Sequence, residues 1–350
     1  MNRKDIIPSL NGIRGLAFLI VFLGHMSIYF PGLSNHNITG VPKTGVWLFF
    51  VLSSFLLTYY FLSKPERARI LKEWVNYFFR RFMRIMILYF IVVTIYFLFK
   101  IRITDTEVYL KHLILQGGEA HFWTMPVEMG FYALLPLVTL ILIGLLKLKP
   151  IYILLTLSLI IVVHQMIFPY TDAVYSSINV FQYLPVFVCG CFTAAFHILL
   201  KKVDISRNVK ILFDILCILL IIGIVLLIPG VREYVFGIPT SGYLINWFIH
   251  FGLIWSVFIL LMLNGYGIVR KFFESKVFIF LGHISFSGYL IHWFFRETTI
   301  DFSNGVFIYI IGTLTLSYLM YRYIEKPLSK LTLIKNKGIV YEDSKIRKAN

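Results

Sequence analysis

The stretch Asn11-Gly12-Ile13-Arg14-Gly15-Leu16-Ala17-Phe18-Leu19-Ile20-Val21-Phe22-Leu23-Gly24-His25 decides how this chain is read. It is an apolar run of helix length that carries two ionisable side chains, Arg14 and His25. Eleven steps of a helix are three full turns plus about 20°, so both side chains share one face, roughly 16 Å apart along the axis. A cation near one end and an imidazole deeper in, on one stripe, can join a charged ligand to a proton-transfer group. The plainer reading is that Arg14 snorkels to the interface and His25 makes a packing hydrogen bond. Ionisable groups at membrane depth are costly and mark function by default.

The rest of the chain has the same character. Its 350 residues are 59% apolar and 14% charged, with a mean hydropathy of +0.81, whereas soluble domains average about 25% charged. This is the composition of an integral membrane protein. Cys189, Cys191 and Cys217 are lone thiols in apolar surroundings, with no spacing that suggests a disulfide framework or a zinc site. No metal is expected. The first apolar run lacks a small-x-small exit and is too long for a cleavable signal, so it reads as a retained span.

A span needs about 20 apolar residues. Ten are expected: Leu10–Phe30, Gly45–Ser63, Phe82–Phe99, Val127–Leu146, Ile151–Phe168, Asn179–Leu200, Ile211–Ile228, Gly242–Leu263, Val277–Phe295 and Gly305–Ile324. The predicted class is therefore an all-α bundle of about ten transmembrane helices, and an even number puts both termini on one side. With the N-terminus inside, 27 of the 33 Lys and Arg fall in cytoplasmic segments, as the positive-inside rule requires. That split places both termini in the cytoplasm. It also makes the net charge of +16 a topology signal and a lipid-facing inner surface, not a nucleic-acid footprint. There is no clear internal repeat. The fifth and seventh spans, nearly free of polar groups, read as packing or lipid-facing helices. Residues 328–350 form a basic polar tail behind a transmembrane unit over 1–327.

Four further clusters carry chemistry. Arg81 and Arg84 are three apart and share a helix face. Paired guanidinium forks at a cytoplasmic mouth suit phosphate, or they belong to the ordinary basic belt at the headgroups. In His121-Phe122-Trp123-Thr124-Met125-Pro126-Val127-Glu128, Pro126 fits a helix start, and Glu128 falls near the depth assigned to His25. Its carboxylate would orient that imidazole or an acceptor hydroxyl, or simply favour the helix dipole. Ser285, Tyr289 and His292 form one polar stripe in an apolar span, which lines an acceptor path or glues helices together. Ser53 and Ser54 sit in an aromatic span and read as packing residues. The other histidines, His121 and His283 among them, lie near loops or span ends and carry no distinct signal.

These residues together resemble the acyltransferase family 3 membrane proteins, which move acyl groups, usually acetyl, onto sugars of bacterial surface glycans. Arg14 and His25 have the spacing of that family's Arg-x10-His signature. Trp47–Leu56 is similar to its "FFVLSGF" span, with Ser54 where Gly is usual. Arg81 and Arg84 match its Arg-x-x-Arg pair. Trp123–Tyr132 looks like its "WSLSVEEQFY" stretch, departing at Met129 and Gly130. Leu281–His292 resembles "LGxISYSxYLxH", and Ile324-Glu325-Lys326-Pro327 resembles "IE+P". The six occur in order along nearly the whole chain.

The resemblance implies a multi-pass protein of the bacterial plasma (inner) membrane. Its donor would be cytoplasmic acyl-CoA, most simply acetyl-CoA, and its acceptor a sugar hydroxyl of a surface glycan or its lipid-linked precursor. Arg14, Arg81 and Arg84 would hold the phosphates of coenzyme A. His25 would be general base or transient acyl carrier, with Glu128 orienting it or the acceptor. Trp123, Tyr289 and His292 would contact the acceptor. Many relatives carry a fused extracytoplasmic domain. This chain shows none, and would work alone or hand its acyl group to a separate extracytoplasmic transferase. The alternative is a glycan or lipid-linked precursor transporter, for which ten spans and buried polar stripes are also suitable, although transporters commonly show internal repeats.

Overall fold

The computed structural model describes residues 7–30, 38–170, 176–239, 243–329, 331 and 333. Arg3, Lys4 and most of the expected tail lie outside them. The chain runs as α1 (Pro8–Met26), α2 (Val41–Leu62), α3 (Leu71–Leu98), α4 (Thr106–Leu113), α5 (Thr124–Leu140), α6 (Pro150–Ile167), α7 (Val180–Leu200), α8 (Arg207–Leu226), α9 (Pro229–Phe236), α10 (Phe248–Asn264), α11 (Ile268–Phe273), α12 (Lys276–Thr299) and α13 (Gly305–Met320). No strand occurs among the described residues. Wide turns extend α5 over Ile141–Leu145 and α13 over Tyr321–Glu325.

Local chemistry starts these helices. Proline occupies the first turn of α1, α2, α6 and α9, where its missing N–H breaks no helical bond. The Asn179 and Asp105 side chains cap α7 and α4. Asp214, deep in α8, caps a different helix. Its Oδ2 accepts from the Gly267 and Ile268 amides at 3.0 and 2.8 Å and so fixes the start of α11.

Nine helical stretches among the described residues are long and apolar enough to cross a membrane. The protein is an all-α, multi-pass membrane protein. Each of the ten expected spans coincides with a helix, but the eighth is shorter than expected. Tyr243–Ile245 makes its own turn, and α10 begins only at Phe248 and has 17 residues. The third begins earlier than expected, at Leu71 and not Phe82. Its arginines therefore lie inside the helix rather than at its mouth.

α1 packs along α12 and α2, α2 along α7, and α7 along α10 and α5. α2 and α7 are the most enclosed, whereas α6 and α8 are only 11% buried over their apolar windows and face outward, as their sequences predict. The α1–α12 contact is made by backbone against backbone. Gly282 faces the Asn11 carbonyl and Gly15 faces the Phe278 carbonyl, each too close for a Cβ. Asn11 Nδ2 donates to the Ile279 carbonyl across the same contact at 3.1 Å. Small residues at a crossing let helices approach where lipid supplies no hydrophobic drive. On the other side of α2, Ser54 packs against Gly190 of α7 and returns its hydroxyl proton to its own helix, at Phe50 and Val51.

Candidate active site

α1 and α3 bring Arg14, Arg81 and Arg84 to one cavity of about 590 Å³, within the range of roughly 300–1,000 Å³ usual for small-molecule sites. Its wall begins with Ile7, Tyr60 and Lys326 at one end of the bundle and ends at Thr124 and Tyr289 in the interior. Arg84 is neutralised in place. Its Nε and Nη2 donate to Glu325 Oε2 at 3.1 and 2.9 Å, and Ser287 Oγ donates to Oε1 of the same carboxylate at 2.9 Å. Glu325 is 1% exposed, so this pair ties α3, α12 and the turn after α13 together. Arg14 and Arg81 have no ion pair or hydrogen bond with a described residue. The Arg81 guanidinium stands 5.9 Å from the centre of the Tyr132 ring. The other carboxylate of the cavity, Glu128, accepts the Tyr132 hydroxyl at 2.8 Å. Arg80 and Lys326 add to the three arginines. Cations outnumber carboxylates, and the free forks are those suited to an anion with several oxygens.

His25 stands at the far end of α1, outside this cavity, and is half-buried. Its ring centre is 5.3 Å from that of His292 and 5.1 Å from Trp293, edge to face. His292 is in turn 5.1 Å from His121. The Arg296 and Arg102 guanidinium groups approach Trp293 at 4.3 and 5.2 Å, and both donate to Glu297. Between the arginine cavity and these imidazoles lies Tyr289. Its hydroxyl donates to the His121 carbonyl at 2.9 Å and accepts from Thr124 Oγ1 at 3.2 Å. The layout is a guanidinium-rich chamber at one end, an imidazole cluster at the other, and one tyrosine in the partition.

The structure brings Arg14, Arg81, Arg84 and Glu128 together. This corrects the expectation that Glu128 reaches the depth of His25 to orient it. Thr124 and Trp123 already belong to the entry of α5, so Glu128 is a turn further along and faces the arginines. Trp123, expected as an acceptor contact, does not line the cavity. It is 3% exposed and packs on Trp47, Phe50 and Tyr183 in the aromatic core. Ser54 is a packing residue, but Ser53 lines the cavity. Tyr132, His283 and Glu325 also line it. Nothing local in the sequence marks Tyr132 or His283, because only the crossing of α3, α5 and α12 turns them inward. His121, unmarked in the sequence, joins His25 and His292. Among the described residues no group of three His, Cys, Asp or Glu is arranged to hold a metal ion.

Comparison with known proteins gives these features a context. A family profile described as an acyltransferase domain matches residues 7–322. The O-acetyltransferase OatA of Staphylococcus aureus (strain NCTC 8325 / PS 47) is 25% identical over 365 residues, covering 93% of this chain and 57% of that protein. A provisionally named O-acetyltransferase of Staphylococcus aureus (strain COL) is 27% identical over 367 residues with the same coverage. The chain thus spans little more than half the length of the curated relatives it matches. No solved structure matches.

Proposed function

The chain belongs to the acyltransferase family 3, and from that premise we propose that it is a membrane O-acyltransferase. It takes an acyl group, most simply acetyl, from acyl-CoA on the cytoplasmic side of the bacterial plasma membrane. It delivers that group to a sugar hydroxyl of a surface glycan or its lipid-linked precursor. The observation that supports this reading is the cavity in which Arg14 and Arg81 stand unpaired beside Arg84. Together they would hold the phosphates of coenzyme A, leaving the long pantetheine arm to run past Tyr289 toward His25.

At His25 the acceptor oxygen attacks the thioester carbonyl as the imidazole takes its proton. The C–O bond forms, the C–S bond breaks, and coenzyme A leaves as a thiolate that takes up that proton. An imidazole that serves first as acyl carrier would reach the same products in two steps. The excess of Lys and Arg in segments on the side of Arg14 supports cytoplasmic entry of the donor.

The test is mass spectrometry of the surface glycan from cells with the protein, without it, and with His25→Ala. A difference of one acyl group that disappears in the variant, while the variant stays in the membrane, is the expected result. Wild-type product from His25→Ala would remove His25 from the chemistry. A glycan that is unmodified but scarcer at the surface would replace transfer with transport.

A further inference from the structure

Two buried rings beside His25 are left half-satisfied. His121 and His292 are 4% and 0% exposed. His121 Nε2 lies 2.9 Å from the Leu290 carbonyl, and His292 Nδ1 lies 2.7 Å from the Tyr289 carbonyl and 3.2 Å from that of Gly288. A carbonyl oxygen only accepts, so those nitrogens carry the hydrogens. That fixes both tautomers. The remaining nitrogens, His121 Nδ1 and His292 Nε2, have bare lone pairs, are buried, and meet no donor among the described residues. The Trp293 indole N–H next to them is buried without an acceptor. His25 adjoins both His292 and Trp293. Buried polar groups are nearly always paired, and adjoining exceptions call for an explanation.

The unmatched atoms specify their complement. Two ring acceptors, the Trp293 N–H and the equally unpartnered Nε of Arg296 beside that ring, all around the imidazole of His25, fit a ligand that both donates and accepts at closely spaced oxygens. A carboxylate or phosphate accepts only and leaves both lone pairs unmet. We propose that His121 and His292, with Trp293, form the acceptor subsite, and that it takes a neutral, polyhydroxylated sugar. Hydroxyls flanking the reacting one donate to His121 Nδ1 and His292 Nε2, and one accepts from Trp293. This inference rests on the acyltransferase reading and names the binding chemistry of its second substrate.

The experiment uses the full chain with His121→Phe, His121→Gln, His292→Phe and His292→Asn, and two readouts. One is binding of coenzyme A to the purified protein. The other is the acyl content of the surface glycan in cells. The Phe variants keep coenzyme A affinity within about twofold and lose acylation by about tenfold or more, the scale of one buried hydrogen bond. The amides, which retain a donor for the carbonyl and an acceptor oxygen, recover part of it. A packing role predicts the reverse order, with Phe tolerated better than the amides, and overturns the proposal. Parallel loss of coenzyme A binding overturns it too, as does wild-type acylation in both Phe variants. If the wild-type protein acylates nothing, the underlying reading has failed and the subsite falls with it. Acylation in the wild type that the variants leave unchanged removes the subsite alone.

Discussion

Arg81 and Arg84 differ by one turn of helix and have opposite relations to the cavity. Arg84 is committed to Glu325 and Ser287, so its guanidinium is part of the architecture as well as the site. Arg84→Ala leaves a buried carboxylate uncompensated and should cost about 3–5 kcal/mol of stability. Arg81 has no such partner, and Arg81→Ala should leave the unfolding temperature nearly unchanged. What it loses is a charge-assisted contact to the ligand, worth about 1.5–3 kcal/mol, or roughly ten- to hundredfold in coenzyme A affinity. Titration of both variants alongside their thermal unfolding separates the two roles. Trp123, which the sequence motif associates with substrate, should behave as a core residue. Trp123→Ala is expected to destabilise by about 3–5 kcal/mol, with coenzyme A affinity preserved in whatever fraction folds. The sequence spacing revealed that Arg81 and Arg84 share a face. It had no means of revealing which of them Glu325, 241 positions away, would claim.

At the scale of the helix, the contact between α1 and α12 is a pair of glycines facing carbonyls. A larger residue at Gly282 meets the backbone of Asn11, which has nowhere to go. Gly282→Val should therefore cost at least about 1–3 kcal/mol from overpacking and reduce the yield of monodisperse protein in detergent. Gly223 on α8 has no heavy atom facing it within 4 Å. Gly223→Ala should be neutral or stabilising by up to about 1 kcal/mol, since only helix propensity changes. The spans themselves were legible because each needs a long apolar run, and such runs are hard to miss. Their limits were less so. Hydropathy assigns the Leu71–Arg81 region to a loop because it is charged, yet α3 carries Arg80 and Arg81 inward to a cavity. The neighbours of Glu128 escape sequence reading for a related reason. Counting residues along one helix gives position on that helix, not the neighbour that a tilted crossing brings to it.

For the whole molecule, the charge asymmetry predicts orientation. Tyr234 on α9 is 92% exposed and falls on the expected outer side, while Lys202 after α7 falls on the cytoplasmic side. Cysteine introduced at Tyr234 should react with an impermeant maleimide on intact cells, and cysteine at Lys202 only after permeabilisation. The three native cysteines are buried and should contribute little background. The opposite pattern would invert the bundle and move donor entry to the outside.

The partition formed by Tyr289 gives the molecule the logic of an airlock. On the proposed reading, a thioester that has not yet passed Tyr289 would be shielded from water at the opposite face as long as the Tyr289 hydroxyl holds the His121 carbonyl. Because that carbonyl is the main-chain oxygen of His121, whose ring is proposed to meet the acceptor, arrival of the sugar and release of the latch involve the same residue. Waste, in this arrangement, is hydrolysis of acyl-CoA with no sugar present. Tyr289→Phe removes the latch and keeps the ring. It should raise futile thioester hydrolysis by purified protein several-fold, with coenzyme A affinity unchanged. A variant as tight as the wild type would mean that the seal against water lies elsewhere along the path.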